Sequence, residues 1–138
     1  MSQNYANHKR FYPLFHFVTV PLVAVGLSLA VYSFFAIPTI ITGLIVLAFI
    51  LIGLVGIFAR TFALKAQDRA ARAEEKLRYF ILAGKPLSAE LKLGQILALR
   101  FASDEEYLAL VDKAVAEKLS SDEIKKAIKN WRGDYHRI

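Results

Sequence analysis

From Phe11 to Ala59 the chain runs for 49 residues without a single Lys, Arg, Asp or Glu. A buried core helix is satisfied by a much shorter apolar stretch, whereas two bilayer crossings of about 20 residues each, joined by a short turn, fill this one. The 56% hydrophobic content of the 138-residue chain therefore reflects one block rather than a diffuse bias. Near the middle of the run Ala36, Pro38 and Thr39 interrupt it. Proline lacks the N–H that a helix interior needs and pushes its predecessor out of the helical region. Backbone groups left open there require water, which places the turn at a membrane surface. The expected spans are about 13–35 and 40–58. Pro21 marks either a kink or the first full turn of the first span.

The first apolar stretch is full length and runs on towards a second, unlike a cleavable leader, so residues 1–138 are expected to be the mature chain. There are no cysteines. That excludes disulfides, thiolate metal sites and cysteine nucleophiles. Basic residues resist translocation and orient a hairpin. Lys9 and Arg10 precede the first span, Arg60, Lys65, Arg69 and Arg72 follow the second, and the turn carries no charge. Both termini are thus expected on the cytoplasmic side. Tyr5, Phe11, Tyr12 and Phe15 with His8 and His16 read as an aromatic entry to span one, of the kind found at headgroup level.

After Pro38 no proline recurs until Pro86. The second span is therefore expected to continue as one helix to about Leu82, roughly 65 Å at ~1.5 Å per residue, ending at Gly84 as a left-handed cap with Pro86 beyond it. The fold class that follows is all-α: a cytoplasmic arm (1–10), a transmembrane hairpin (11–59), a cytoplasmic helical stalk (60–83) and a small helical domain (84–138). Within that domain Leu91, Leu93, Ile96, Leu97 and Leu99 make an incomplete helical stripe, with Gly94 weakening its start. Ser103-x-x-Glu106 reads as a capping box opening a helix with Leu108, Val111 and Val115 inward. Ser120-x-x-Glu123 opens another with Ile124, Ile128 and Trp131 inward.

Three constellations are candidates for function. Gly53, Gly56, Ala59, Ala63, Ala66, Ala70 and Ala73 recur at spacings of three and four on one helix face. Small residues let helices approach, so this seam suits the first span, a second copy or another subunit. Beside it Lys65, Arg69, Arg72 and Lys76 form a basic ridge that suits anionic lipid headgroups, or a solvated face partly neutralised by Asp68 and Glu75. The last two helices resemble a helix-turn-helix in spacing, with Lys125, Lys126, Lys129 and Arg132 on the second. Lys118 stands where the turn glycine is usual, and Asp122 and Glu123 occupy the end that would meet phosphate. Both departures argue against a nucleic-acid partner.

For catalysis the inventory is thin. His8, His16 and His136 are the three histidines, no charged group lies inside the spans, and no HExxH, phosphate-binding loop or GxSxG motif is present. No enzyme activity, cofactor or metal is expected. The polar groups of the spans are too few for a secondary transporter.

Three stretches, Gln3 to Arg10, Leu99 to Glu106 and Asp122 to Trp131, carry a resemblance to an uncharacterised family of small two-span bacterial membrane proteins, found largely in Bacteroidota. The resemblance implies an inner-membrane protein with cytoplasmic ends and carries over no site. The polar arm around Asn4, Asn7 and His8 has no apolar core of its own and suggests docking onto the stalk or a partner. Arg100, Phe101, Trp131, Arg132 and Tyr135 are residue types that interfaces favour, or simply close the small domain. The expected function is a non-enzymatic, membrane-anchored accessory or scaffold subunit that docks to itself, as a homo-oligomer, or to a larger membrane complex. A membrane-tethered nucleic-acid-binding module is the alternative.

Overall fold

The computed structural model describes residues 3–8 and 11–134, and among these all regular structure is helical. The chain divides into two compact units. Phe11–Leu64 forms one, and the N-terminal segment together with everything from Lys65 onward forms the other. The orienting residues Lys9 and Arg10, with Tyr135 and His136, lie outside the described residues.

The Phe11–Leu64 unit begins with a π-helical turn, Leu14–Thr19, that leads into α1, Val20–Ala36. Pro21 sits at the start of α1. It cannot donate to the preceding turn, and the wider π turn lies immediately upstream, where Thr19 Oγ1 donates to the Leu14 carbonyl at 3.1 Å. The two readings of Pro21 thus resolve into a widened turn followed by a regular helix. α1 ends at Ile37, whose φ of −140° is extended, as the residue before Pro38 must be.

α2, Ile40–Ala83, is 44 residues long. An uncharged reciprocal cap starts it. Thr39 Oγ1 accepts from the Thr42 amide at 3.2 Å, and Thr42 Oγ1 accepts from the Thr39 amide at 3.0 Å. It ends at Gly84, whose φ of +67° is the left-handed position and whose N–H reaches the Phe80 carbonyl at 2.9 Å. The stop at Gly84 and Pro86 therefore acts as the sequence implied.

Within Phe11–Leu64 the partners fall in value on α2 as they rise on α1. The Arg60 guanidinium lies 5.1 Å from the Phe15 ring centroid, Phe49 rests on Gly26, and Phe34 on Gly43, so the two segments are antiparallel. The tight approach is at Gly26, where an added Cβ would collide with the Phe49 ring, whereas one at Gly43 would make ordinary contact with Phe34 at 3.5 Å. Both helices of this unit, Leu14–Ala36 with mean hydropathy 2.2 and Ile40–Ala83 with 3.0 in its most apolar window, are long and apolar enough to cross a membrane.

In the second unit α3 (Leu93–Leu99), α4 (Asp104–Ala116) and α5 (Ser121–Ala127) close around Ile96, Leu99, Phe101, Tyr107, Val111 and Ile124, each at most 1% exposed. α4 turns Tyr107, Leu110, Val111 and Ala114 fully inward, while the expected Leu108 and Val115 are only half-buried. The Ser120–Glu123 capping box forms: Ser120 N–H donates to Glu123 Oε2 at 2.7 Å and Glu123 N–H to Ser120 Oγ at 3.3 Å. The Ser103–Glu106 box does not. Glu106 instead accepts the amides of Lys129 and Asn130 at 3.1 and 2.9 Å, and the buried Ser103 hydroxyl has no partner among the described residues. Trp131 is likewise off the helix, because α5 ends at Ala127 and Trp131 pairs in a β-bridge with Ala102.

Candidate functional site

The N-terminal arm meets the helical domain at a junction of several hydrogen bonds and ring contacts. Its base is a short backbone pairing. Ser103 N–H donates to the Asn130 carbonyl at 3.0 Å and Arg132 N–H to the Phe101 carbonyl at 2.7 Å, which brings the Phe101 and Trp131 rings to 5.1 Å between centroids. Onto that aromatic pair the arm lowers His8, 9% exposed and 5.8 Å from each ring. The Tyr5 carbonyl can only accept, so His8 Nδ1–H donates to it at 2.6 Å. That leaves Nε2 to face Lys125 Nζ at 3.3 Å as an acceptor.

The rest of the arm is fixed by matched polar groups. Asn4 Oδ1 accepts the amides of Ala6 and Asn7, and Asn7 Oδ1 accepts that of Asn4 at 2.6 Å, which builds a closed turn. From this turn Tyr5 OH donates to Asp122 Oδ1 at 2.7 Å, and Gln3 Oε1 accepts the Asp134 amide at 2.7 Å. Lys126 Nζ stands 2.8 Å from Asp122 and 5.5 Å from the Tyr5 ring. Hydrogen bonds from Lys126 and then Tyr5 hold the Asp122 carboxyl below its usual range, while Asp122 raises both Tyr5 and Lys126. The arm thus docks on the helical domain rather than on the stalk face. Tyr5 and His8 belong to this junction and not to an aromatic entry to span one, where His16 remains in ring contact with both Phe11 and Phe15.

A second network joins the C-terminal half of α2 to α4. Ala71, Glu75 and Tyr79 recur at spacings of four and form the buried face of this segment. Arg78, beside them, donates through Nη1 to Glu75 at 3.2 Å, through Nε to Asp104 at 2.7 Å and through Nη2 to the Ala102 carbonyl at 2.7 Å, with its guanidinium 4.1 Å from the Tyr107 ring centroid. Tyr107 OH donates to the Glu75 carbonyl at 3.2 Å. Burial, reinforced by the Glu75 charge, pushes the Tyr107 hydroxyl well above the tyrosine range. Glu75 is thereby bound to Arg78 and does not neutralise the basic ridge. The reading from spacing alone assigned it to the wrong neighbours.

The other singled-out residues distribute as follows. Arg100 pairs with Asp134 at 3.2 Å and borders a cavity of about 310 Å³ with Arg132, Gln67, Glu74 and Glu75. Lys65, Arg69, Arg72 and Lys76 are all exposed and make no ion pair among the described residues. Ala59, Ala66, Ala70 and Ala73 are exposed, and Ala63, Gly53 and Gly56 are half-buried. A Cβ added at Gly53 or Gly56 would meet nothing within 4 Å, so the close approach within the hairpin lies elsewhere, at Gly26. The helix-turn-helix-like pair has a seven-residue second helix that holds Lys125 and Lys126 but not Lys129 or Arg132. Lys118 does occupy the left-handed turn position, with φ +51°. Among the described residues no three His, Asp or Glu side chains gather as a metal site requires.

The three stretches that carry the family resemblance are far apart in sequence and meet at this one junction. The class of protein so defined is all-helical, with two helices long and apolar enough to cross a membrane and a small helical domain closed by the N-terminal arm. Residues 1–138 match a family of unknown function (DUF6526), and the chain belongs to that family. No curated protein and no solved structure matches it.

Proposed function

We propose that the chain is a non-enzymatic, membrane-anchored accessory or scaffold subunit of the bacterial inner membrane, with both termini in the cytoplasm. In this reading the cytoplasmic unit docks to copies of itself or to a larger membrane complex. The observation that carries it is the arm junction. Gln3, Tyr5 and His8, before the apolar run, pack on residues 122–134, after it. A run whose two ends return to one folded body crosses a bilayer an even number of times, which agrees with the single break at Pro38. The cluster Arg60, Lys65, Arg69 and Arg72 against an uncharged turn supports a cytoplasmic location for that body. The exposed ridge of Lys65, Arg69, Arg72 and Lys76 is suited to anionic lipid headgroups, each cation contributing on the order of 1 kcal/mol near the surface. Compartment reporters fused after Ile138 and inserted beside Pro38 test the topology. Cytoplasmic activity at Ile138 and the opposite sign at Pro38 are expected. Cytoplasmic signals at both would reject the hairpin.

A further inference from the structure

Residues 65–83 of α2 use one face for the helical domain, through Ala71, Glu75, Arg78 and Tyr79, and leave the opposite face uncovered. That uncovered face is strongly apolar at its end: Leu77 is 60% exposed, Phe80 54% and Ile81 71%. Its positions alternate in steps of four and three, Ala66, Ala70, Ala73, Leu77 and Phe80, which is the heptad spacing of a left-handed helix pair. Arg69 and Lys76 then fall on one flank of the seam, and Gln67, Glu74 and Ile81 on the other. In a parallel pair each flank residue faces the opposite flank five positions on in its partner, so Arg69 of one copy meets Glu74 of the other, twice by symmetry. Neither Arg69 nor Glu74 has a partner within the described residues.

We infer that a second copy of this chain covers this face, as a parallel two-helix coiled coil over residues 66–81 with reciprocal Arg69–Glu74 pairs. The inference rests on the membrane-anchored reading, because two copies inserted in the same sense can only bring this helix together in parallel. An antiparallel mate would set Glu74 and Arg69 in other registers and lose the complementarity. Arg69 and Lys76 are then the ridge residues on the flank turned to the partner, leaving Lys65 and Arg72 for headgroups.

The cysteine-free chain makes the test direct. Full-length L77C and F80C proteins in native membranes, under mild oxidation, should form disulfide-linked homodimers, with D112C on the exposed side of α4 as the background. R69E or E74R alone, added to L77C, should lower the cross-linked fraction about five- to tenfold, and co-expression of the two should restore it as the mixed pair. Cross-linking of L77C and F80C at the D112C level, in protein that resists an alkaline wash, overturns the dimer and leaves the anchoring intact. So does capture of a different protein in place of a second copy. Release of the chain by the alkaline wash overturns the anchored reading itself, and with it the parallel orientation.

Discussion

In Phe11–Leu64 the large apolar side chains face outward: Phe35 is 80% exposed and Ile40 83%, and Ala30 is the one described residue there that is buried. In the other unit the distribution is reversed. Tyr107 and Leu99 are fully buried, Phe101 and Ile96 are 1% exposed, and charges such as Glu105, Asp112 and Lys113 face out. Removal of apolar surface from water holds the second unit together, whereas the first leaves most of its apolar surface uncovered and brings its helices closest where the Phe49 ring meets Gly26. One chain thus follows two sets of packing rules, and each unit should respond to the substitutions that its own rules penalise.

The largest expected effect is in the water-rule unit. Phe101→Ala removes a ring that supports both Trp131 and His8, and truncations of this kind cost about 3–5 kcal/mol. The helical domain should lose its protease resistance and release the arm, while the protein stays in the membrane fraction. Loss of membrane retention in the same variant would show that the two units are not independent in stability. Next in size is Arg78→Ala, which strands the buried Glu75 at about 3 kcal/mol, measurable by thermal unfolding in detergent. Glu75→Gln in the same chain should return part of that loss, because no charge is then left unpaired. The raised Tyr107 hydroxyl gives this network a pH signature. A tyrosine raised on folding stabilises fully below its ordinary value of 10.0 and loses that contribution as pH rises beyond it. Alkaline unfolding should therefore be less steep in Tyr107→Phe.

The hairpin is tested by glycine. Gly26→Leu forces the Phe49 ring away and should cost about 1–3 kcal/mol in hairpin stability without moving the melting of the helical domain. Gly56→Ala, inside the helix and with open space around its Cβ, should not destabilise the isolated protein and should stabilise it by about 0.5–1 kcal/mol. Equal effects at Gly26 and Gly56, read as hairpin cross-linking yield, would break the distinction between ring-on-glycine contact and small-residue stripe.

What the sequence made legible was local. The break at Pro38, the stop at Gly84 and the Ser120–Glu123 box each depend on residues within a turn of one another, where rotamer and backbone rules decide the outcome. The Ser103–Glu106 motif obeys the same local rule and still fails, because two free amides at Lys129 and Asn130 compete for the Glu106 carboxylate from across the domain. The spacing of Ile124, Ile128 and Trp131 is helical, and what overrides it is the Ala102 bridge, a contact 29 positions away that no periodicity encodes. The arm junction was illegible for the same reason. Tyr5 and Asp122 are 117 positions apart, and the polar arm with no apolar core of its own pointed only to docking onto the stalk or a partner.

The smallest effect expected is at Lys118, where the two kinds of rule can be separated within a single turn. α4 closes with the Leu119 amide on the Ala114 carbonyl at 3.2 Å, and this geometry requires the residue between Glu117 and Leu119 to be left-handed. Lys118 meets the requirement at φ +51° against a steric cost of about 1 kcal/mol, which glycine does not bear. Glycine in turn loses more freedom on folding, offsetting roughly half of that gain. Lys118→Gly should therefore raise the stability of the helical domain by about 0.5 kcal/mol, seen as a small upward shift in its thermal midpoint. The hairpin and the membrane fraction should be unaffected. A destabilised domain would mean that the lysine side chain makes a contact of its own at this turn, and the left-handed conformation would then be held by more than the helix cap.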